Sequence, residues 1–324
     1  MNVAGEREAP QHLAESASAA RSLRHQALIW RDGADWAAVA AAFIQDGVRR
    51  GELALAGMPA SAGAMVRKTL DGASFDFFDI TELGRNPARI IATMLDFARV
   101  HAGLPLRFVC QPFWAGRPDA ENSEAARHEA LVNLALADVS ATVLCVYDAR
   151  ELDAAALSCA EETHPVVITG GEPRDSPRYA GPGIVPAQCD LPLPPPPPSA
   201  LRLPFRDDLR AVRQHVTGAA RQAGLSAGRA ADLALAASEV AANTLRHAGG
   251  SGMLHIWPTA DEIICQVTDS GLIDDPLAGR RRPASDGSGH GLWVVNQVCD
   301  LVQLRSGRDG TMVRMHMRRR IRPV

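Results

Sequence analysis

The chain has 324 residues, 46% hydrophobic and 22% charged, which is enough apolar material for two buried cores and excludes a disordered protein. A formal net charge of -3 leaves no basic footprint for nucleic acid, and Arg314, Arg318, Arg319, Arg320 and Arg322 read as a locally basic, solvated end. The cysteines Cys110, Cys145, Cys159, Cys189, Cys265 and Cys299 include no C-x-x-C pair, which favours free thiols in a reducing cytoplasm over a disulfide framework.

Residues 1–20, MNVAGEREAPQHLAESASAA, lack the basic segment and apolar stretch of a secretory leader and read as a flexible tail. No later run reaches the roughly 18 uninterrupted apolar residues that a membrane helix needs. A cytoplasmic protein without membrane contact is therefore expected.

Residues 21–190 alternate two patterns. The apolar runs ELALAGM, SFDFFDI, PLRFVCQPF, ATVLCVYD and HPVVITG predict buried strands, and Asp35 to Arg50, Ala62 to Leu70, Pro87 to Ala102 and Ala125 to Leu136 predict helices. Strand and helix in alternation imply a parallel sheet covered on both faces. Residues 191–200, LPLPPPPPSA, are a proline-rich linker predicted to form a stiff polyproline II spacer. Residues 201–324 change order. ALRLPF predicts a strand, Asp207 to Ala223 and Ala227 to His247 two long helices, GMLHIWP and EIICQVTD two more strands. A helix around Leu292 to Val298 and the strands LVQLRS and TMVRMHM close this half as an α/β sandwich.

In LALAASEVAANTLRHAGG, Glu239, Asn243 and His247 recur every fourth residue and share one helix face. Taken alone, such a polar stripe is either a solvent-facing edge or a site. The segments downstream of it come in a definite order: VTDSG at Val267 to Gly271, GSGHGLW at Gly287 to Trp293, then Gly310 and Thr311 before the last strand. A carboxamide oxygen such as that of Asn243 can enter octahedral Mg²⁺. Asp269, ending an apolar strand, suits the exocyclic amine of adenine. Gly287, Gly289 and Gly291 let backbone N–H groups approach phosphates where a helix begins.

Together these segments resemble the N, G1, G2 and G3 boxes of the ATPase superfamily of gyrase, heat-shock chaperones, histidine kinases and mismatch-repair proteins (GHKL). The resemblance implies ATP and Mg²⁺ as cofactors, with Asn243, His247, Asp269, Gly271, Gly287, Gly289, His290, Gly291, Leu292 and Thr311 around the nucleotide and Asn243 on the metal. The G1 segment departs from Asp-x-Gly-x-Gly, because Ile273 stands in the second glycine's place. A histidine kinase would place a phosphoacceptor histidine on a two-helix segment upstream. Here the linker runs into a strand and a single long helix, and His215 has no acidic neighbour. This half looks more like the compact anti-sigma-factor serine kinases, in which the residue matched by Glu239 acts as base on a serine hydroxyl of an antagonist protein. The other reading of Glu239 is a structural ion pair with an arginine.

His25-Gln26-Ala27-Leu28, Gly84-Arg85-Asn86-Pro87-Ala88-Arg89-Ile90, Pro112-Phe113-Trp114-Ala115-Gly116-Arg117 and Arg127-His128-Glu129-Ala130-Leu131 make the first half resemble the MEDS sensory domain, a relative of the RecA and KaiC fold. No phosphate loop occurs in LALAGMPASAG, taken as the first strand and the turn after it, so nucleotide is not expected there. His25, Trp114 and His128 either line a ligand pocket or are satisfied core groups. The expected fold is thus a RecA/KaiC-like parallel-sheet domain followed by a GHKL-type α/β sandwich. The expected function is an ATP-binding anti-sigma factor and serine kinase controlled by its sensory domain. Expected partners are a sigma factor, an anti-sigma-factor antagonist and a small-molecule signal, with homodimerisation open. A non-catalytic module that sequesters a sigma factor and a histidine-kinase-like transmitter are the alternatives.

Overall fold

Uninterrupted runs of Val, Leu, Ala and Phe form strands buried on both faces, as a parallel sheet between helices requires. The computed structural model describes residues 22–31, 36–70, 72, 74–187, 190–283 and 289–319. Its first domain runs β1 (Leu23–Trp30), α1 (Trp36–Arg49), β2 (Leu53–Met58), α2 (Ala60–Thr69), β3 (Asp76–Asp79), α3 (Ile80–Leu83), α4 (Ala88–Val100), β4 (Leu106–Cys110), α5 (Asp119–Ala135), β5 (Ala141–Asp148), α6 (Ala154–Thr163), β6 (Val166–Thr169) and β7 (Glu172–Asp175). The seven strands are ordered β3-β2-β4-β5-β1-β6-β7, all parallel except β7, which returns antiparallel on β6. One core, around Phe108, Ile90, Leu131 and Tyr147, fills one face, and a second, around Ile44, Met58, Val66 and Leu144, fills the other.

The first strand is β1, not the ELALAGM run, and it lies inside the sheet between β5 and β6. Its opening LRHQ hides it from an apolar-run search, although His25 is fully buried. RDGADW comes directly after β1 and, like the segment after β2, has no phosphate-loop spacing.

The second domain runs β8 (Leu201–Phe205), α7 (Leu209–Gln222), α8 (Ala227–His247), β9 (Gly252–Pro258), β10 (Glu262–Asp269), α9 (His290–Val298), β11 (Leu301–Gly307) and β12 (Gly310–Arg318). Its sheet is antiparallel, ordered β11-β12-β10-β9-β8. Asp208 and Ser226 cap α7 and α8, accepting from Ala211 N at 2.8 Å and Arg229 N at 3.4 Å. The inner face of α8 is alanine-rich, with Ala230, Ala234, Ala237 and Ala241 buried, so the helix lies close on the sheet beside Leu254, Val267 and Met315.

The outer face of this sheet carries polar groups that are nonetheless buried: Gln266, Gln303, Arg314 and His316. They are satisfied in place, Arg314 Nε donating to Gln266 Oε1 at 2.9 Å and His316 lying 3.0 Å from Gln303 Oε1. The proline-rich linker lies on this face. Arg314 donates to Pro194 O at 2.5 Å, Arg305 to Leu191 O at 3.2 Å, and Ala200 packs with Trp257 and Ile264. Residues 191–200 are therefore strapped to the second domain and do not stand between the domains as a free spacer.

Candidate functional site: a cleft beside helix α8

One turn apart on α8, Glu239, Asn243 and His247 face a cleft of about 960 Å³. Its far wall is α9, which begins at His290, two residues before the predicted start. Gly289 caps that helix with φ 78° and ψ 2°, a left-handed conformation that a side chain would disfavour. Gly291 lies against α8: a Cβ there would be 3.1 Å from Asn243 Nδ2 and 3.3 Å from Glu239 Oε2. The absence of a side chain thus leaves the α9 N–H groups facing the space beside Glu239 and Asn243. Glu239 is half-buried, and it takes part in none of the ion pairs among the described residues.

The opposite end of the cleft is built from strand ends. Asp269 and Thr311 are register partners on β10 and β12. Asp269 Oδ1 accepts from Gly271 N at 2.8 Å and Oδ2 from Thr244 Oγ1 at 2.5 Å, and a carboxylate so held keeps further lone pairs for a ligand amine. Thr311 Oγ1 donates to Gly271 O at 2.9 Å and is 2.7 Å from Ser306 Oγ, which in turn accepts from Ile273 N at 2.7 Å. No described non-glycine residue has a positive φ, so Ile273 occupies the place of the second glycine with ordinary backbone geometry.

Asn243, His247, Asp269, Gly271, Gly289, His290, Gly291, Leu292 and Thr311 all line this one cleft, while Gly287 lies outside the described residues. The residues fit a nucleotide with its metal. An uncrowded helix start and a carboxamide sit at one end, and an oriented carboxylate sits at the other. Sequence reasoning missed Thr244 and Ser306, which orient Asp269 and Thr311. It also missed the wall formed by Leu272 to Pro283.

That wall is gripped by the first domain. Leu277 is 5% exposed and belongs to the first domain's core. Arg280 is buried, its Nη2 donating to Glu124 Oε2 at 3.3 Å, and burial pulls its guanidinium below the usual arginine range. The same Glu124 accepts from Arg305 Nη1 at 2.7 Å through Oε1. Arg282 makes two bonds to Asp96, at 3.0 and 2.8 Å, and Arg318 pairs with Glu121. Arg89 closes the carboxy-terminal end of α9 by donating to the carbonyls of Asn296 (2.8 Å), Gln297 (2.8 Å) and Cys299 (2.6 Å), where a cation suits the helix dipole. The segment Gly84 to Ile90 therefore acts as an inter-domain clamp. Arg117 supports it from behind, donating to Gly84 O at 2.6 Å while stacking on Trp114 at 4.1 Å. Trp114 thus packs on an arginine, whereas His25 and His128 both lie against buried Glu129.

The molecule is thus a parallel-sheet α/β domain locked onto the cleft wall of an ATPase-type α/β sandwich. Residues 24–165 match the MEDS family, the MEthanogen/methylotroph, DcmR Sensory domain, and residues 205–317 match the histidine kinase-like ATPase domain. The chain carries a sensory domain followed by a kinase-like ATPase domain, the composition of a signalling regulator. No curated protein matches it. Among the described residues no helix is long and apolar enough to cross a membrane.

Proposed function

We propose that the protein is a cytoplasmic ATP-dependent serine kinase of an anti-sigma-factor antagonist, that it also binds a sigma factor, and that its first domain sets the state of the ATP cleft. The observation that carries this reading is the convergence of Glu239, Asn243 and Gly291 at one end of a cleft whose other end holds Asp269 and Thr311. Mg²⁺, held through Asn243, would neutralise the phosphates. The chain's own groups do the rest. Asp269 and Thr311 orient the adenine, His247, His290 and Leu292 flank the nucleotide, and the N–H groups from Gly289 to Gly291 face the phosphates. Glu239, one turn from Asn243, takes the proton of an incoming serine hydroxyl, and positioning with charge neutralisation supplies most of what phosphoryl transfer needs.

A transmitter of histidine phosphorylation is disfavoured by the surroundings of His215. It lies within α7, which packs along α8 as part of the sandwich and not as a free acceptor hairpin. Control by the first domain rests on the grip of Leu277, Arg280, Arg282 and Asn296, because any shift of α4 or α5 moves the cleft wall with it.

Incubating the protein with labelled ATP, alone and with its genomically neighbouring antagonist, tests the reading. Label on a serine of the antagonist, reduced by about 10²-fold or more in Glu239→Gln while ATP still binds, supports it. Wild-type protein that binds ATP and a sigma factor without transfer establishes the non-catalytic alternative, and label on a histidine of the chain establishes the transmitter.

A further inference from the structure

At the centre of the first domain, four side chains that the ATP cleft does not use converge. His25 comes from β1, Cys145 from the neighbouring β5, Glu129 from α5, and His164 from the residue that ends α6. All four are buried, and one ligand atom from each lies within 4.8 Å of the others. His25 Nε2 is 3.4 Å from Cys145 Sγ and 3.4 Å from Glu129 Oε2, and His164 Nε2 is 2.9 Å from the same oxygen. Ligand atoms on a tetrahedral zinc ion with ordinary bond lengths are about 3.3–3.6 Å apart, the separation of His25 Nε2 from both Cys145 Sγ and Glu129 Oε2.

The hydrogen bonds behind the cluster decide which ring nitrogens carry protons. Asn133 Nδ2 donates to Thr163 O at 2.8 Å, which turns Asn133 Oδ1 toward His25 Nδ1 at 3.1 Å, so that nitrogen is the donor. His164 Nδ1 is 2.9 Å from Ala160 O, which can only accept. In their neutral forms both imidazoles therefore carry an unprotonated Nε2, that of His164 facing Glu129 and that of His25 facing Glu129 and the Cys145 thiol. Lone pair facing lone pair at 2.9 Å repels unless a proton or a metal ion lies between them. The polar groups set against Glu129 are His25, His128 and His164 together with the Cys145 thiol and the Tyr147 hydroxyl, and its ion-pair partners among the described residues are all histidines. Each histidine thus has its outer nitrogen tied to a carbonyl oxygen and its inner nitrogen aimed at a common point, the arrangement that orients metal-bound histidines.

We propose that His25, Glu129, Cys145 and His164 bind one zinc-class divalent transition-metal ion. Two imidazoles, one carboxylate and one thiol match the borderline-soft preference of such an ion, whereas Mg²⁺ and Ca²⁺ take oxygen shells. As the Sγ–metal bond forms, the thiol proton of Cys145 leaves to solvent, and no oxidation or reduction occurs. Four protein ligands close the shell, so the ion tunes conformation and does no chemistry. The same helix, α5, carries Glu129 and Asn133 at the metal and Glu121 and Glu124 at the ATPase domain. Metal occupancy therefore fixes the element that holds Arg280, Arg305 and Arg318.

The full-length chain, stripped with chelator, is titrated with Zn²⁺ against a chromophoric competitor and with Co²⁺ as a spectroscopic substitute. One ion per chain and a thiolate-to-cobalt charge-transfer band are expected. That band disappears in Cys145→Ser and persists in Cys265→Ala. Asn133→Ala, which removes only the orienting carboxamide, should lower zinc affinity by about 10–100-fold. X-ray absorption on the zinc-loaded wild type needs no variant and should report one sulfur and three nitrogen or oxygen neighbours. A folded wild type that binds no stoichiometric zinc, a bound ion without a sulfur neighbour, or affinity unchanged in both Cys145→Ser and His164→Gln would overturn the site. None of these outcomes depends on whether the second domain binds ATP.

Discussion

Asn86 Nδ2 donates at 3.0 Å to both the side-chain and the main-chain oxygen of Asn296, a residue 210 positions away on the other domain. Asn296 in turn donates from Nδ2 to Gly279 O and Leu292 O, each at 3.1 Å. One buried carboxamide thus joins the first domain, the cleft wall and α9, the helix that borders the cleft. Replacing Asn296 by alanine keeps the main-chain bond from Asn86 but removes the side-chain bonds to Asn86, Gly279 O and Leu292 O, at a cost of about 1–3 kcal/mol. We expect amide hydrogen exchange to rise across residues 275–283 in Asn296→Ala and Asn86→Ala, with β10 and β12 unchanged. Equal protection in wild type and both variants would show that the clamp does not hold the wall.

Glu124 is 1% exposed and serves Arg280 and Arg305 together. Removing it strands a buried guanidinium, which typically costs about 3–5 kcal/mol, whereas a glutamine in its place keeps both acceptor geometry and volume partly intact. Chemical denaturation of the full chain should therefore find Glu124→Ala less stable than Glu124→Gln. A tie between them would mean the arginines find solvent or other partners.

At Gly291 no positive φ is involved, so alanine is tolerated by the backbone, but its methyl group enters the gap beside Asn243 and Glu239. The expected result for Gly291→Ala is a folded protein by circular dichroism whose Mg-ATP affinity falls at least about tenfold, equivalent to about 1.4 kcal/mol. Undiminished affinity would place the phosphates elsewhere.

Much of the second domain was legible in the sequence because its elements face a single core. β9 and β10 are short, largely apolar runs, and α8 repeats its polar stripe every fourth residue, so those elements stand out in the sequence. The first domain was less legible. β1 carries the metal-cluster residue His25 within a polar-looking run, and α6 has no strong apolar stripe. Spacing picks out the stripe of Glu239, Asn243 and His247, and the resemblance of the ordered downstream segments brings in the other predicted residues that line the cleft. The clamp could not, since Asn86, Arg89, Asp96 and Glu124 meet partners more than 150 positions away and look like ordinary surface polarity in the chain. Asn296 was the one hint, a carboxamide inside the apolar helix HGLWVVNQV. The Cys145 and His164 convergence likewise depends on strand order, which no local pattern reveals.

Asp269 is oriented by Gly271 N and the Thr244 hydroxyl, both donors, so the proposed role as acceptor for an exocyclic amine depends on its staying a carboxylate. Asp269→Asn replaces one acceptor oxygen by an NH₂ donor facing those groups. Adenine nucleotides should then weaken more than guanine nucleotides in parallel calorimetric titrations. An equal loss for the two bases would mean that Asp269 shapes the cleft without reading the base.

Whether the cleft beside α8 is the Mg-ATP site decides the rest of the function, and calorimetric titration of Mg-ATP into the full-length wild type and Asn243→Ala tests it directly. The prediction is one nucleotide per wild-type chain, dependent on Mg²⁺, with that dependence lost in Asn243→Ala because the carboxamide oxygen is gone. A folded wild type that binds no ATP, or an Asn243→Ala protein with the same Mg²⁺-dependent affinity, would contradict it.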